Sequence, residues 1–215
     1  MTRFHPSGRI GRVSRPGRPS AVSAGTRLAS LPAFLALALA TAPGLAATTW
    51  ATDAAASKLT FVATLAGGEL EGRFGRFTPL IAFDPANLPQ SRFVVDIDVA
   101  TADTGDRDRD DILTGKDFFD AGQWPEARFE ATAFRAMGAG AFDATGELTV
   151  RNITREIHLP FTFEPAADGR SALLSGGTTV HRLEYGVGQG EWSATQWLGN
   201  DVRVHFELRL RRTPP

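Results

Sequence analysis

Strict alternation of apolar and polar residues, sustained through most of the chain, is what most narrows the folds open to it. In "DVRVHFELRL" Val202, Val204, Phe206, Leu208 and Leu210 fall on one side, and Arg203, His205, Glu207 and Arg209 on the other. "SRFVVDIDVA" sets Phe93, Val95, Ile97 and Val99 against Arg92, Asp96 and Asp98. "REIHLPFTFE" sets Ile157, Leu159, Phe161 and Phe163 against Glu156, His158, Thr162 and Glu164. "AFDATGELTVR" sets Phe142, Ala144, Gly146, Leu148 and Val150 against Asp143, Thr145, Glu147 and Thr149. Successive side chains of a strand point to opposite faces, so each segment is a strand with one dry and one wet face. Fainter strands at Lys58–Leu65, Glu69–Phe83, Ala127–Arg135 and Ser171–Arg182 bring the number to about eight, with turn signals such as "DPANLPQ" and "RNIT" between them. The one helical stretch is Asp106–Lys116.

Strands of this kind need their dry faces covered. A second sheet does so in a sandwich; a barrel covers itself and also removes exposed edges. An eight-stranded barrel is either filled by side chains or holds one small ligand. Small residues on the dry registers (Ala63, Ala131, Ala133, Ala144 and Gly146) point to open space, although glycine in a strand can equally mark a bend. The expected fold class is therefore all-β: an antiparallel eight-stranded barrel with one short helix.

The first 46 residues are of another kind. They carry six arginines and no acid, followed by an apolar run from Leu31 to Ala47 that ends in small residues around Leu45. A basic start, a short apolar core and a small-x-small site make a secretory signal, cleaved near Ala46 into a periplasmic protein. The alternative, an uncleaved anchor, fits less well, because Pro32 and Pro43 interrupt a run of barely spanning length. The expected domains are a signal over 1–46 and one barrel over 47–215. Of the 23 basic residues, 17 then remain against 24 acidic ones, a formal charge of −7. That charge argues against nucleic acid as a partner. With no cysteine, there is no disulfide, lipoprotein attachment, thiolate nucleophile or covalent haem.

Several residues look chemical. In "DRDRDDILTGKDFFD" Asp106, Asp108, Asp110 and Asp117 have calcium-loop spacing. However, position six is Asp111 where the loop requires glycine, and position twelve is not a bidentate Glu. Carboxylates at a helix start, favoured by the helix dipole and paired with Arg107 and Arg109, are the better reading. Ile112, Leu113, Phe118 and Phe119 then turn inward as a plug. His158 and His205 lie on wet registers and, with His181, make no metal set. No nucleophile elbow, phosphate loop or His-Glu-x-x-His occurs, so an enzyme is not expected. Arg182, before the "EYGVG" bend, could meet a ligand headgroup or pair with an acid such as Asp84 or Asp120. Trp192 and Trp197 suit a cavity mouth or a cap on the core.

The order of motifs resembles the YceI family, exported lipocalin-like proteins that bind polyisoprenoid lipids. The resemblance is carried by "SKLTFVATLAGGELEGRFGRFTPLIAFDP", "RDRDDILTGKDFFDAGQWPEARFEAT", "GELTVRNITREIHLPFTF" and "VHRLEYGVGQGEW", which span about Trp50 to Arg211. Asn152 stands where the family often has a turn glycine. The resemblance implies a lipocalin-like barrel with an elongated apolar cavity, no catalytic apparatus and no cofactor. Its expected cargo is a polyisoprenoid or other fatty-chain lipid. "GVGQGEW" also resembles relatives found beside membrane b-type cytochromes, which implies an isoprenoid quinone as alternative cargo and a role in electron transfer or oxidative-stress defence. A homodimer is compatible with either. By register, Phe61, Phe74, Phe93, Val95, Ile97, Phe129, Phe142, Leu148, Leu159, Phe161, Val204 and Phe206 are expected to line the cavity. Phe118 and Phe119 would close one end, with Arg182 among the binding residues.

Overall fold

The computed structural model describes residues 47–214. The expected secretory signal and its cleavage site lie outside them. Within them, the dry and wet registers build one antiparallel sheet. Its strands are β1 (Thr49–Thr52), β2 (Lys58–Leu65), β3 (Gly68–Phe74), β4 (Phe77–Ala82), β5 (Arg92–Asp98), β6 (Ala102–Asp103), β7 (Glu126–Gly138), β8 (Ala141–Val150), β9 (Ile153–Pro165), β10 (Ser171–His181) and β11 (Leu198–Arg212). Around the wall these occupy eight positions. β1 and β2 lie end to end along the fifteen-residue β11, and β3 and β4 lie end to end beside them. The order then runs β4, β5, β7, β8, β9, β10, β11 and back to β1, which closes the barrel. Closure leaves the wall without a long free edge.

The break between β1 and β2 is fastened locally. Asp53 caps the 3-10 turn Ala54–Ala56 by accepting from Ala56 N, and Ser57 Oγ donates to Asp53 O at 2.7 Å while accepting from Arg209 N at 3.0 Å. A second irregularity changes which residues face in. β7 pairs Ala131 with Gly146 but Ala133 with Thr145, so Thr132 is an extra residue. A bulge of this kind flips the parity of the residues after it. Ala131 is buried, whereas Ala133 is exposed, contrary to the plain alternation, and Phe134 takes the inward place.

One end of the barrel is solid. Phe83 is 0% exposed and sits among Phe93, Phe134, Phe142, Phe161 and Phe163 at centroid distances of 5.1–5.8 Å, mostly edge-on or tilted. Trp50 joins them edge-on to Phe163 and donates its indole N–H to Phe83 O at 2.9 Å. Edge-to-face pairs of this sort add about 0.5–1.5 kcal/mol each beyond simple burial.

The opposite end is covered by α1 (Arg107–Thr114) and the segment after it. The helix is a little shorter than its acidic stretch because the flanking residues cap it. Asp106 accepts from Arg109 N at 3.1 Å and pairs with the Arg109 guanidinium, and Asp110 holds Thr104 through both N and Oγ1. Two of the carboxylates with calcium-loop spacing are thus engaged in fixing the helix start.

Candidate functional site

Between the aromatic end and the covered end lies a cavity of about 210 Å³. A void of about 10–15 Å³ is enough for one water, so this is open space of ligand scale. Its wall is apolar except for Thr178, Arg182 and Tyr185. β5 contributes Phe93, Val95 and Ile97, and β7 contributes Phe129. Leu148 comes from β8, Leu159 from β9, Val204 and Phe206 from β11, Phe61 from β2 and Phe74 from β3. Phe118 and Phe119 bound it at the covered end, where Phe119 meets Phe74 at 5.9 Å and Phe118 meets Trp192 at 5.5 Å.

Two residues expected along the cavity are elsewhere. Phe142 and Phe161 face inward but lie at the solid end, stacked on each other at 5.5 Å and edge-on to Phe83. Alternation predicts the face of a strand, not the depth along the barrel. Ala144 and Gly146 likewise face in without leaving space; a Cβ at Gly146 would collide with Glu130 O and Ala131. Of the expected plug, Leu113 lines the cavity, while Ile112 is 43% exposed, one helical residue round from it. Other wall residues share the parity of those expected, Val202 with Val204, Ile157 with Leu159 and Leu70 with Phe74, and that parity was the available signal.

Arg182 differs from both expectations for it. It is 4% exposed and meets neither Asp84 nor Asp120. Nε donates to Gly199 O at 2.8 Å, Nη1 to Val187 O and Gly188 O at 3.0 and 3.1 Å, and Nη2 to Trp192 O and Leu198 O, both at 2.7 Å. A guanidinium has five N–H groups, and all five are used. Burial lowers its pKa from the ordinary value, but a guanidinium stays charged in a protein. Arg182 therefore gathers the long loop after β10 into one piece and keeps no donor for a headgroup. The "GVG" spacing serves it: Gly188 has φ +80°, and a Cβ there would land on Arg182 Nη1.

A family model described as YceI-like domain matches residues 50–210. The chain belongs to the YceI-like family. It is 30% identical over 142 residues to a UPF0312 protein of Pseudomonas savastanoi, which spans 64% of this chain and 72% of that one. The crystal structure of Burkholderia cenocepacia BcnA matches with a TM-score of 0.71 at 33% identity, over 74% of this chain and 99% of BcnA. A domain from Saccharophagus degradans, described as polyisoprenoid binding, matches with a TM-score of 0.62 over 77% of this chain and 99% of that one. At 15% identity it speaks for the fold alone.

One residue of this YceI-like chain that sequence reasoning passed over is Arg151. It, and not Asn152, takes the left-handed position of the β8–β9 turn, with φ 57°. Its Nη1 donates to Phe118 O at 3.1 Å and to Gly186 O, Nη2 lies 3.9 Å from Asp120, and the guanidinium stacks 4.7 Å over Trp124. Asp117 O accepts from Gly188 N and Gln189 N, both at 2.7 Å. The covering segment is thus tied to the barrel rim on two sides. Arg151→Met is expected to remove about 1–3 kcal/mol of stability. It should also speed amide exchange across residues 115–124 while leaving the strands as they were. Unchanged exchange in that segment would show that Arg151 is not its tether.

The remaining candidates face outward. His158 contacts Asp143 at 3.0 Å and His181 contacts Asp201 at 2.8 Å. Asp96 pairs with Arg128 and Asp98 with Arg76, each at 2.6 Å. Trp192 is half-buried and packs on the core, and Trp197 is 64% exposed beside the β2–β3 turn, its carbonyl accepting from Ala66 N.

Proposed function

We propose that this YceI-like chain is an exported carrier that holds a polyisoprenoid, or a similarly long apolar lipid, inside its barrel, and that it works in the periplasm after loss of residues 1–46. The observation that carries this reading is the cavity. It is apolar and lies inside the barrel, and its one charged side chain is fully occupied by backbone carbonyls. Burying a chain there is worth about 0.8 kcal/mol per methylene, falling toward about 0.3 kcal/mol per atom for a long ligand. Tight binding then needs no charged contact. The Saccharophagus degradans domain, described as polyisoprenoid binding, shares the fold, and a polyisoprenoid is proposed as the lipid by that analogy of fold. The role read here is binding, with Thr178, Arg182 and Tyr185 as the polar side chains of an otherwise apolar wall.

Organic extraction of protein purified from the periplasm, followed by mass spectrometry, tests the reading. A prenyl alcohol or prenyl phosphate is the expected cargo. A quinone would turn the role toward electron transfer beside a membrane cytochrome, and clean extracts from freshly isolated protein would count against a carrier. Ala63→Phe is the companion test. Ala63 lines the cavity between Val202 and Leu70. An open cavity accepts the ring, where a packed core would be strained by about 1–3 kcal/mol. The variant should fold normally and carry at least tenfold less lipid. If it carries the wild-type amount, the ligand is not in this cavity.

A further inference from the structure

The barrel wall is not laddered all the way round. β9 and β10 pair only from Ala172 and Pro165 to Gly176 and Phe161. Beyond that point the register would set Gly177 against Pro160, which has no N–H to give. Gly176 is the last paired residue and passes so close to Pro160 O and Phe161 that a Cβ would collide with both. From there β10 stays paired with β11 as far as His181, and β9 stays paired with β8 as far as Ile153. The two strands therefore part company. Ile157 and Leu159 flank the gap on one side, Thr178 and Val180 on the other; all four line the cavity and all are only half-buried.

The gap is bounded above and below. The Phe161–Gly176 pair ends it on the aromatic side. At the other end the 3-10 turn Arg182–Tyr185 crosses from β10 toward β9, and a Cβ at its capping residue Gly186 would touch Ile153. Two further stretches of wall lack a ladder: the second edge of β3 over Gly68–Gly72, since β6 meets only Arg73 and Phe74, and the stretch where β4 faces the Asp53–Ser57 turn. The latter is stopped by Trp50, Leu59 and Ile81, all buried. The aromatic cluster fills one end and the Phe118–Phe119 segment is tied across the other, whereas the β9–β10 gap is flanked on both sides by half-buried residues of the cavity wall.

The polar side chains of the wall are arranged to match. Arg182 is spent on carbonyls. Thr178 and Tyr185 are the other two, and neither hydroxyl has a hydrogen-bond partner among the described residues, though Tyr185 is only 2% exposed. Thr178 sits on the β10 flank of the gap and Tyr185 on the turn over its upper end. Neither hydroxyl oxygen is sealed off from the cavity, so a ligand oxygen placed beside either one can take its proton. Burial and the nearby Glu184 charge raise the Tyr185 pKa, which keeps its proton available to donate.

Resting on the carrier reading, we propose that the cavity opens sideways through this window between β9 and β10. The polar end of the lipid stays there, a neutral oxygen such as a hydroxyl or carbonyl bonded by Tyr185 and Thr178, while the chain runs inward.

Two measurements test this. In the first, geranylgeraniol and a hydrocarbon of matched length are titrated into wild-type protein, Tyr185→Phe and the double variant Tyr185→Phe, Thr178→Val. Affinity for the alcohol should fall about three- to tenfold per hydroxyl removed, the size of one net hydrogen bond, with the hydrocarbon unaffected. Equal losses for both probes, or none for the alcohol, overturn the assignment of the polar end. In the second, His158→Cys with Thr179→Cys places the chain's only thiols on opposite sides of the window, where a short bismaleimide can bridge them. Bridging should slow uptake and release of the alcohol at least tenfold, while the same bridge across the laddered pair Thr179 and Arg203 changes neither. Unchanged rates across the bridged window overturn the sideways route. Should wild-type protein bind neither probe, the carrier reading itself fails and the window falls with it.

Discussion

Arg182→Met is expected to destabilise the protein by about 3–5 kcal/mol, the cost of leaving several buried acceptors unpaired at about 1–3 kcal/mol each, less what the loop recovers by relaxing. The loss comes from what the guanidinium leaves behind. Five carbonyls, those of Val187, Gly188, Trp192, Leu198 and Gly199, lose their donor at once. Each buried acceptor left unpaired costs about 1–3 kcal/mol, reduced where loosening of the loop lets water in. A whole domain is stable by only about 5–15 kcal/mol, so the variant could fall below the threshold for folding. Arg182→Lys keeps the test readable. Lysine retains the charge but has three donors at a single point, which leaves at least two of the five carbonyls bare. Urea unfolding should order the proteins wild type, Lys, Met from most to least stable, with a lowered midpoint and an unchanged slope for the lysine variant. Lipid content should fall with loosening of the loop that carries Trp192 and Val187, although Arg182 itself gives nothing to a headgroup. A methionine variant as stable as wild type would mean that the carbonyls find other partners and the loop holds without its centre.

Why Arg182 could not be read correctly from the chain has a physical explanation. Sequence shows a cation beside a glycine-rich bend, and the natural partners to seek are acids. Its actual partners are backbone carbonyls, which every residue has and no motif marks. Gly188 is the one trace of the arrangement, since it must be glycine for the guanidinium to fit. Arg151 was missed for the same reason, two of its bonds being to the carbonyls of Phe118 and Gly186. The architecture was far more legible. A period of two sustained over strands as long as β9 and β11 has few other outcomes, and closure into eight positions comes from covering every dry face. What periodicity cannot carry is position along the axis or an added residue. Phe142 has the parity of Leu148 but lies at the opposite end of the interior, and one extra residue at Thr132 exchanges the places of Ala133 and Phe134. The plug was half legible. Phe118 and Phe119 do bound the cavity, but a short helix turns about 100° per residue, so adjacent Ile112 and Leu113 cannot both face in.

Phe83 sets the floor of the cavity, and its removal should change both stability and ligand length. The ring touches five other phenylalanines, among them Phe93, whose other side faces the cavity. Edge-on rings held by strands on every side have little freedom to collapse into a void. Phe83→Ala is therefore expected at the full cost of a large-to-small change, about 3–5 kcal/mol. The space it leaves is apolar and should stay dry, and Phe93, the one ring against Phe83 that also lines the main cavity, stands between the two. A rotation of that ring would join the two. A longer chain could then reach in, recovering about 0.8 kcal/mol for each added methylene that becomes buried. In a series of straight-chain alcohols, affinity for wild-type protein should level off once the chain meets the Phe83 cluster, while the variant should continue to gain over two or more further carbons. Thermal unfolding with the longest alcohol should restore part of the lost stability to the variant and give no comparable extra gain to wild type. Phe83→Leu, which keeps most of the volume, should show a small loss of stability and the wild-type length limit. An alanine variant with an unchanged length profile would place the floor elsewhere, and one that loses under about 1 kcal/mol would mean the cluster relaxes around the gap in the way that packed aromatic cores ordinarily do not.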